Sequence, residues 1–534
     1  MSRTPYPLAE AVRRAYQGTL EGAPEDDETM EPLVRVDACG RPMGRISDGD
    51  YVIFYDLRGE REIELTQAFV EQPFGHFATE PIDTHWVTLI EYQPNLAVRV
   101  AFPPEGPYAD TLCEAVSRAG LSQVKIVESE KAVHLAYFLN GKRETPFPGE
   151  RRRFLPSREF EGYLPPPEMR AAAVADATIH EMHGNADLIT VNWANVDVIG
   201  HSEDRGAILR AVETVDAQLA RVVAAARSQG ITAVVTADHG TVEKWLYEDG
   251  TIDTGHTDSP VPLAIVDDGL DQAALRQGGT LIDVAPTVLA LLGLPIPTAM
   301  EGRPLLQHAP TTRRHRVALL ILDGWGARDE RAGNLIAEAH TPCMDALSRQ
   351  PLYTRLEAAG EAVGLPETVP GRPGKTVGNS EVGHLHLGAG RVVPSDRLRV
   401  ERAIADGSLL RNQSLRWAME GAIRDRKALH LLGIISFYSS HGSVEHLLAL
   451  LRMAHELGVP EVYIHGMLGR RGEKPESGAI YTQQVEEACE ALGTGAFVSL
   501  IGRFWSLDRE HNWDRIEKSY RWLVHGEGRP VRPV

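Results

Sequence analysis

Apolar positions along this chain fall into two alternating rhythms. Short runs with almost no polar break, such as "LITVNWANVD", "ITAVVTADHG" and "VALLILDGWG", have the length and β-branched content of strands buried on both faces. Between them, "GAILRAVETVDAQLARVVAAARSQG" and "LIDVAPTVLALLGLP" repeat apolar residues at helical spacing. Residues 400–534 show the same alternation: strands "ALHLLGIIS", "EVYIHGML" and "GAFVSLIGRFW", helices "SVEHLLALLRMAHELG" and "YTQQVEEACEALG". Strand–helix alternation predicts an α/β fold with mostly parallel sheets. Residues 1–165 mix shorter elements. "DYVIFYDLRGERE" reads as a buried strand, a turn and a charged helix start; "HWVTLIEYQP" and "KAVHLAYFLNG" read as further strands. "LPPPEM" (Leu164–Met169) reads as a linker and "QHAPTTRRHR" (307–316) as a polar connector.

Length changes the picture first: 534 residues exceed one ordinary core, so two domains or more are expected. With 43% hydrophobic and 24% charged residues the composition is that of a globular enzyme, and a net charge of −19 makes nucleic acid a poor partner. Cys39, Cys113, Cys343 and Cys489 are scattered, which suits a reducing compartment and no thiolate metal site. The N-terminal "MSRTPYPLAEAVRRAYQG" has no signal-like apolar core, and no run is long enough to span a membrane, so a cytoplasmic protein is expected.

The chemistry collects at strand ends. "LITVNWANVD" ends at Asp197, with His201 four residues on; "ITAVVTADHG" ends at Asp238 and His239; "VALLILDGWG" ends at Asp323; "DTGHTDSPVP" adds His256. Taken singly these have ordinary explanations, as turn formers, helix caps or loop histidines. Together, at the carboxyl ends of one parallel sheet, they suit a metal site. Carboxylates with imidazoles suit Mn²⁺ or Zn²⁺, and so many ligands suit two ions roughly 3.5–4 Å apart better than one. Ser380 stands in "GNSEVGH" without a catalytic-triad context; it is either a helix cap or a nucleophile activated by metal. Arg58, Arg61, Arg470, Arg471, Arg503 and Arg509 follow apolar strands and suit a small anionic ligand, each having the alternative of pairing with an acidic neighbour.

These segments resemble the cofactor-independent (2,3-bisphosphoglycerate-independent) phosphoglycerate mutase family of the alkaline phosphatase superfamily. "LDGWG", "GNSEVGHLHLGAGR", "NWANVDVIGH", "TADHG" and "GHTDSPVP" are similar to its metal-site segments; "ESEKAVHLAYFLNG", "SDGDYVIFYDLRGER" and "LIGRFWSLDREHNWDR" to its substrate segments. The order differs, with the ADHG segment before the DGWG segment, so the resemblance implies a circular permutation. It implies a metal-binding, phosphatase-like domain at 168–395, with 307–316 as connector, and a smaller transferase domain split into 1–167 and 396–534, with hinges near Leu164–Glu168 and Pro394–Arg397. By position, Asp197, His201 and His256 would hold one ion, and Asp323, Ser380, Asp238 and His239 the other. The family's metal is usually manganese, with magnesium, zinc or cobalt in some members. Lys131 would stand by the nucleophile Ser380, and Arg58, Arg61, His441, Arg471, Arg503 and Arg509 would bind the phosphoglycerate. A monomer is implied, whose serine carries a phosphoryl group between hydroxyls of bound glycerate.

Two departures stand out. The family's Gly-Arg-Asp is here Arg470-Arg471-Gly472, so its aspartate is missing, and its Asp-Gly-Gly-Val-His-Ser-His is here Phe437-Tyr438-Ser439-Ser440-His441-Gly442-Ser443. Three readings follow. One is literal phosphoglycerate mutase activity. The second is phosphoryl or phosphonyl transfer to glycerate or a similar hydroxy acid from another, possibly nucleotide-activated, donor, as phosphonate biosynthesis requires. The third, a non-catalytic binding protein, fits poorly with a full set of ligands.

Overall fold

The computed structural model describes residues 6–20, 23–158, 164–247, 249–270, 274–307, 316–370, 373–469 and 476–532. The chain is a two-domain α/β protein, with one compact unit at 105–395 and another made of 1–104 and 396–534. Each unit is built on one eight-stranded mixed sheet.

In the 105–395 unit the strand order is Gly279–Thr280, Tyr353–Glu357, Val261–Val266, Ile231–Thr236, Arg316–Leu322, Leu188–Trp193, Gln123–Glu128, Glu150–Leu155. The three strands whose ends carry aspartates are therefore neighbours. Arg316–Leu322 runs parallel to both partners, Leu320 opposite Val191 on one side and Val235 on the other, so all three carboxyl ends open on one edge. Their side chains are buried on both faces, which explains the unbroken apolar runs. The helix Arg205–Ser228 covers the sheet and starts where the Asp204 side chain accepts from Ala207 N–H (2.9 Å).

Two expectations need correction. Residues 105–167 belong with this unit rather than with residues 1–104, because Gln123–Glu128 pairs in parallel with Leu188–Trp193. The chain leaves the other unit at Pro104–Glu105 and returns to it at Ser395–Asp396, and Leu164–Glu168 lies inside the 105–395 unit. "KAVHLAYFLNG" is not a strand. A 3-10 turn at Ser129–Lys131 is followed by a π-turn at His134–Phe138, where Leu139 N–H donates to His134 C=O (2.9 Å). Leu135 and Leu139 are both fully buried, a four-residue spacing that fits one helical face and that a short apolar run conceals. Of the connector 307–316, residues 308–315 lie outside the described residues.

The other unit orders its strands Arg529–Val531, Leu33–Arg35, Ala496–Gly502, Val462–Leu468, Leu429–Ile434, Tyr51–Phe54, His85–Ile90, Arg99–Phe102, all parallel except where Leu33–Arg35 meets Ala496–Gly502. A buried polar chain crosses it. Ser499 Oγ meets His465 Nδ1 (2.8 Å), His465 Nε2 meets His430 Nδ1 (2.9 Å), and His430 Nε2 meets Asp50 Oδ2 (3.2 Å). One proton per contact satisfies every atom; an extra proton on His465 Nδ1 would turn Ser499 Oγ from donor to acceptor and place a charge inside the buried sheet. Among the described residues no helix is long and apolar enough to cross a membrane.

Burial, and then the His430 ring, hold His465 well below its ordinary value. The unfolded chain therefore takes up a proton near pH 6.5 that the folded chain refuses, and the stability contribution is lost as pH falls through that value. Thermal or urea unfolding between pH 7.5 and 5 should show a falling midpoint. H465Q should reduce the slope of unfolding free energy below pH 6.5 by about 1.4 kcal/mol per pH unit, the weight of one proton. An unchanged slope would assign the acid sensitivity to other groups.

Candidate metal centre

Asp197, Asp238 and Asp323 stand just beyond Trp193, Thr236 and Leu322, the ends of the three central strands. They are drawn together by backbone: Asp197 N–H donates to Asp323 C=O (3.1 Å), and Gly324 takes a positive φ of 82° with room for no side chain, since a Cβ would lie 2.8 Å from the Asp197 backbone. Asp238 Oδ1 accepts from Gly324 N–H (3.2 Å) and its own neighbour His239 N–H (3.1 Å).

Ser380 is the first residue of the helix Ser380–Ala389, and it is not the cap. Asn379 is, its side chain accepting from Val382 N–H (2.9 Å). Gly383, one turn on, lets the helix lie against Asp238, whose carbonyl would be 2.5 Å from a Cβ there. Ser380 Oγ is thus free of capping duty. It lies 3.0 Å from His239 Nε2 and 3.2 Å from Asp323 Oδ1, and accepts from Lys131 Nζ. Lys131 also bridges Asp197 Oδ2 (2.6 Å) and Asp323 Oδ1 (2.7 Å). Lys131, Asp197, Asp238, His239, Asp323 and Ser380 are all buried.

The charges are unequally settled. Burial opposes ionisation of Asp197, but the Lys131 ammonium and the facing imidazoles hold its carboxyl well below the usual range. Asp238 is likewise held low against burial, by His239, His384 and Lys131. Asp323 is raised by burial and by the charge of Asp238. Burial works against the Lys131 charge, yet Asp323 and Asp197 raise its pKa.

The residues fit divalent ions. His201 Nδ1 donates to Thr254 C=O (2.8 Å) and His256 Nδ1 to Gly378 C=O (3.0 Å), which fixes both tautomers and leaves both Nε2 lone pairs bare. Those two Nε2 atoms are 3.2 Å apart and face Asp197 Oδ1 at 3.4 and 3.1 Å. Contacts of this kind are satisfied by a proton on the imidazole or by a metal ion between the ring nitrogens and the carboxylate, and the donor set suits the ion. Asp238 Oδ2, fully buried, has no hydrogen-bond donor among the described residues. Asp197 with His239 and His256, and Asp238 with Asp323 and His384, each bring one ligand atom per residue within 4.8 Å. Carboxylate oxygen with imidazole nitrogen is the donor set of Mn²⁺ or Zn²⁺.

All the metal-site residues expected from the sequence, and Lys131, therefore meet at one sheet edge. Two that were not expected join them. His384 lies one helical turn from Ser380, with Nδ1 on Ser380 C=O (2.8 Å) and 3.2 Å from Asp238 Oδ2. Asn192 Nδ2 donates to Asp323 Oδ2 (2.7 Å) and lies 3.0 Å from His384 Nε2. The signals were present: His384 is the last letter of "GNSEVGH", and Asn192 is the polar break in an apolar strand.

The expected substrate residues lie in the other unit. Arg58, Arg61 and Arg503 all bear electrostatically on the buried His441. Arg61 Nη1 donates to Leu507 C=O (3.0 Å), while Glu60 pairs with both Arg58 (3.3 Å) and Arg509 (2.6 Å). Arg471 lies outside the described residues.

Comparison with known proteins agrees with this chemistry. A family described as BPG-independent PGAM N-terminus (iPGM_N) matches residues 400–533. Curated relatives named 2,3-bisphosphoglycerate-independent phosphoglycerate mutase include that of Moorella thermoacetica, 39% identical over 300 residues, covering 56% of this chain and 57% of the relative. That of Nitratidesulfovibrio vulgaris is 41% identical over 300 residues, covering 55% and 57%. The chain thus spans a little over half the length of the curated relatives it matches. A solved structure, "Crystal structures of Leishmania mexicana phosphoglycerate mutase at low cobalt concentration", is 29% identical and covers 52% of this chain and 53% of that one, with a TM-score of 0.39. The Metalloenzyme superfamily matches residues 27–296, half of the chain, and to that superfamily the chain belongs.

Proposed function

We propose that this chain is a metal-dependent phosphotransferase of the phosphoglycerate mutase type, in which Ser380 carries the phosphoryl group. The observation that carries this reading is the setting of Ser380 Oγ: uncapped, buried, and shared by Lys131, His239 and Asp323. Asp197, His201 and His256 would hold one ion, and Asp238, His239, Asp323 and Ser380 the other. Manganese is the first metal to test, ahead of zinc, cobalt and magnesium. Bound there, the ions supply positive charge that lowers the serine pKa and neutralises a transferring phosphoryl group.

The chain's own residues do the rest. Lys131 keeps its proton and donates to Ser380 Oγ, steadying the oxygen as it forms its bond to phosphorus and the bond to the substrate oxygen breaks. Asp323, fixed by Asn192, aims the serine. Arg58, Arg61, Arg503 and Arg509 offer guanidinium forks to the carboxylate and phosphate of a phosphoglycerate. The hydroxy acid stays bound while its other hydroxyl takes the group back.

The reading includes a reordered chain. The family order would put the DGWG strand first and the ADHG strand late. Here one unit is continuous at 105–395 and the other is split across the chain ends, and the superfamily match at 27–296 precedes the iPGM_N match at 400–533. A circular permutation accounts for both.

A second reading has one observation in its favour. Where the family has a glycine-rich turn, Phe437 stands 42% exposed with its ring parallel to that of Tyr481 (13°) at 6.3 Å, and Gly472 replaces an aspartate. A rebuilt pocket of that kind suits a different phosphoryl or phosphonyl donor. Assay of the Mn²⁺-loaded protein with 3-phosphoglycerate, coupled to enolase, separates the two: turnover supports the mutase. No turnover, with Ser380 labelled by another donor, supports the second.

Ser380→Ala should abolish phosphoserine and transfer while the unfolding temperature stays within about 2 °C, since Asn379 caps the helix. Asn379→Ala should instead cost about 1 kcal/mol of stability. Lys131→Met should lower kcat by roughly 10²-fold or more, measured by single-turnover phosphorylation of Ser380. Chelation should lower the unfolding temperature and Mn²⁺ restore it, because ions that bind only the folded edge stabilise it by mass action; a chelator-insensitive melt would contradict the metal assignment.

A further inference from the structure

Two helices of the 105–395 unit, Ala171–Met182 and Arg205–Ser228, pack together beside a surface groove. Ala172 and Ala173 line it from one helix and Ala217 from the other, side chains too short to fill the space between two helices. The groove they leave has a volume of about 440 Å³. Small-molecule sites span roughly 300–1,000 Å³.

Its walls carry charge. Arg158, Arg170 and Arg210 all line it. None of their guanidiniums has a hydrogen-bond or ion-pair partner among the described residues, and Arg170 Nε is buried without an acceptor. Arginines find carboxylates easily in a chain of net charge −19; Arg221, on the same helix as Arg210, pairs with Asp176 (2.7 Å). Glu168 and Glu213 line the groove too, yet neither pairs with an arginine there. Glu213 instead accepts from His340 N–H (3.1 Å). Glu128 feels the Arg170 charge, but its hydrogen bond comes from the Arg170 backbone N–H (3.0 Å).

The helix start adds donors. No side chain caps Ala171–Met182, and the N–H groups of Ala172 and Ala173 have no acceptor among the described residues. The turn that leads into this helix is fixed from below. Besides the Arg170 bond to Glu128, Trp193 Nε1 donates to Ala171 C=O (3.2 Å) and Asn195 Nδ2 to Pro167 C=O (2.8 Å). The donors are therefore in place before a ligand arrives, which spares the cost of ordering them. Guanidinium forks and uncapped helix N–H groups both select phosphate oxygens. Carboxylates without a cation beside them accept from hydroxyl groups.

We propose that this groove binds a phosphate monoester of a hydroxyl-rich small molecule, a sugar or polyol phosphate. The phosphate sits among Arg158, Arg170, Arg210 and the helix start, the hydroxyls donate to Glu168 and Glu213, and the carbon body lies over Ala217. None of these residues belongs to the metal edge, so the site stands apart from the transfer reading.

The test maps arginine reactivity on the full-length, Mn²⁺-loaded protein, with glucose 6-phosphate and inorganic phosphate as probes. Phenylglyoxal labelling read by peptide mass spectrometry reports each guanidinium separately, so anion bound elsewhere does not register. Glucose 6-phosphate should protect Arg158 and Arg210 with one shared midpoint and leave Arg221 reactive. R170Q should raise that midpoint about tenfold, the weight of one charge-assisted contact, with the unfolding temperature unchanged. A217L, which fills the groove, should raise the midpoint for glucose 6-phosphate about tenfold and leave that for inorganic phosphate unchanged. Absence of protection at Arg158 and Arg210, or protection that R170Q leaves as it is, overturns the site. Protection by inorganic phosphate at lower concentration than by glucose 6-phosphate overturns the ester and assigns the groove to the free ion.

Discussion

One buried ammonium holds the metal edge together. Lys131 Nζ touches Asp197, Asp323 and Ser380 at a point where three carboxylates meet with almost no solvent. Buried charges cost several kcal/mol each unless paired and hydrogen-bonded, so an edge with three aspartates and one lysine is anionic and incomplete by its own means. Much of the surrounding geometry serves this cluster. The π-turn at His134–Phe138 follows directly on Lys131, Gly324 lets Asp197 and Asp323 share backbone hydrogen bonding, and Gly383 seats the Ser380 helix against Asp238. The unequal pressures on the carboxyls, Asp323 up and Asp197 and Asp238 down, are the signature of an edge short of positive charge.

The sequence was most legible where chemistry coincides with strand periodicity. A continuous apolar run ending in Asp identifies both the strand and the ligand, because a parallel sheet buries both faces and opens only at its ends; Asp197, Asp238 and Asp323 were found that way. Legibility failed where a run was too short to show its period. "KAVHLAYFLNG" has the composition of a strand, yet Leu135 and Leu139 share a helical face, and nothing local distinguishes the two. The boundary at Pro104–Glu105 was hidden for a related reason. What assigns residues 105–167 to their unit is the parallel pairing of Gln123–Glu128 with Leu188–Trp193, a non-local contact without composition of its own. Asn192 and His384 were missed because neither ends an apolar strand: Asn192 orients Asp323 from within one, and His384 faces Asp238 from the helix that starts at Ser380.

Carboxylate–imidazole clusters in the two units use the same residue types for opposite ends, and their neighbours decide which. In the 105–395 unit, His201 and His256 give their Nδ1 protons to backbone carbonyls and turn bare Nε2 atoms on Asp197, beside a single lysine. That arrangement collects lone pairs and invites a cation. In the other unit, His441 turns Nδ1 on a carboxyl that burial keeps protonated, and three arginines bear on the ring. That arrangement repels a cation and stores a proton. A donor list alone, two carboxylates and an imidazole, would call both of them metal sites. The direction of each imidazole proton and the sign of the nearest side-chain charges separate them, and both follow from backbone carbonyls and arginines that lie outside the donor list itself.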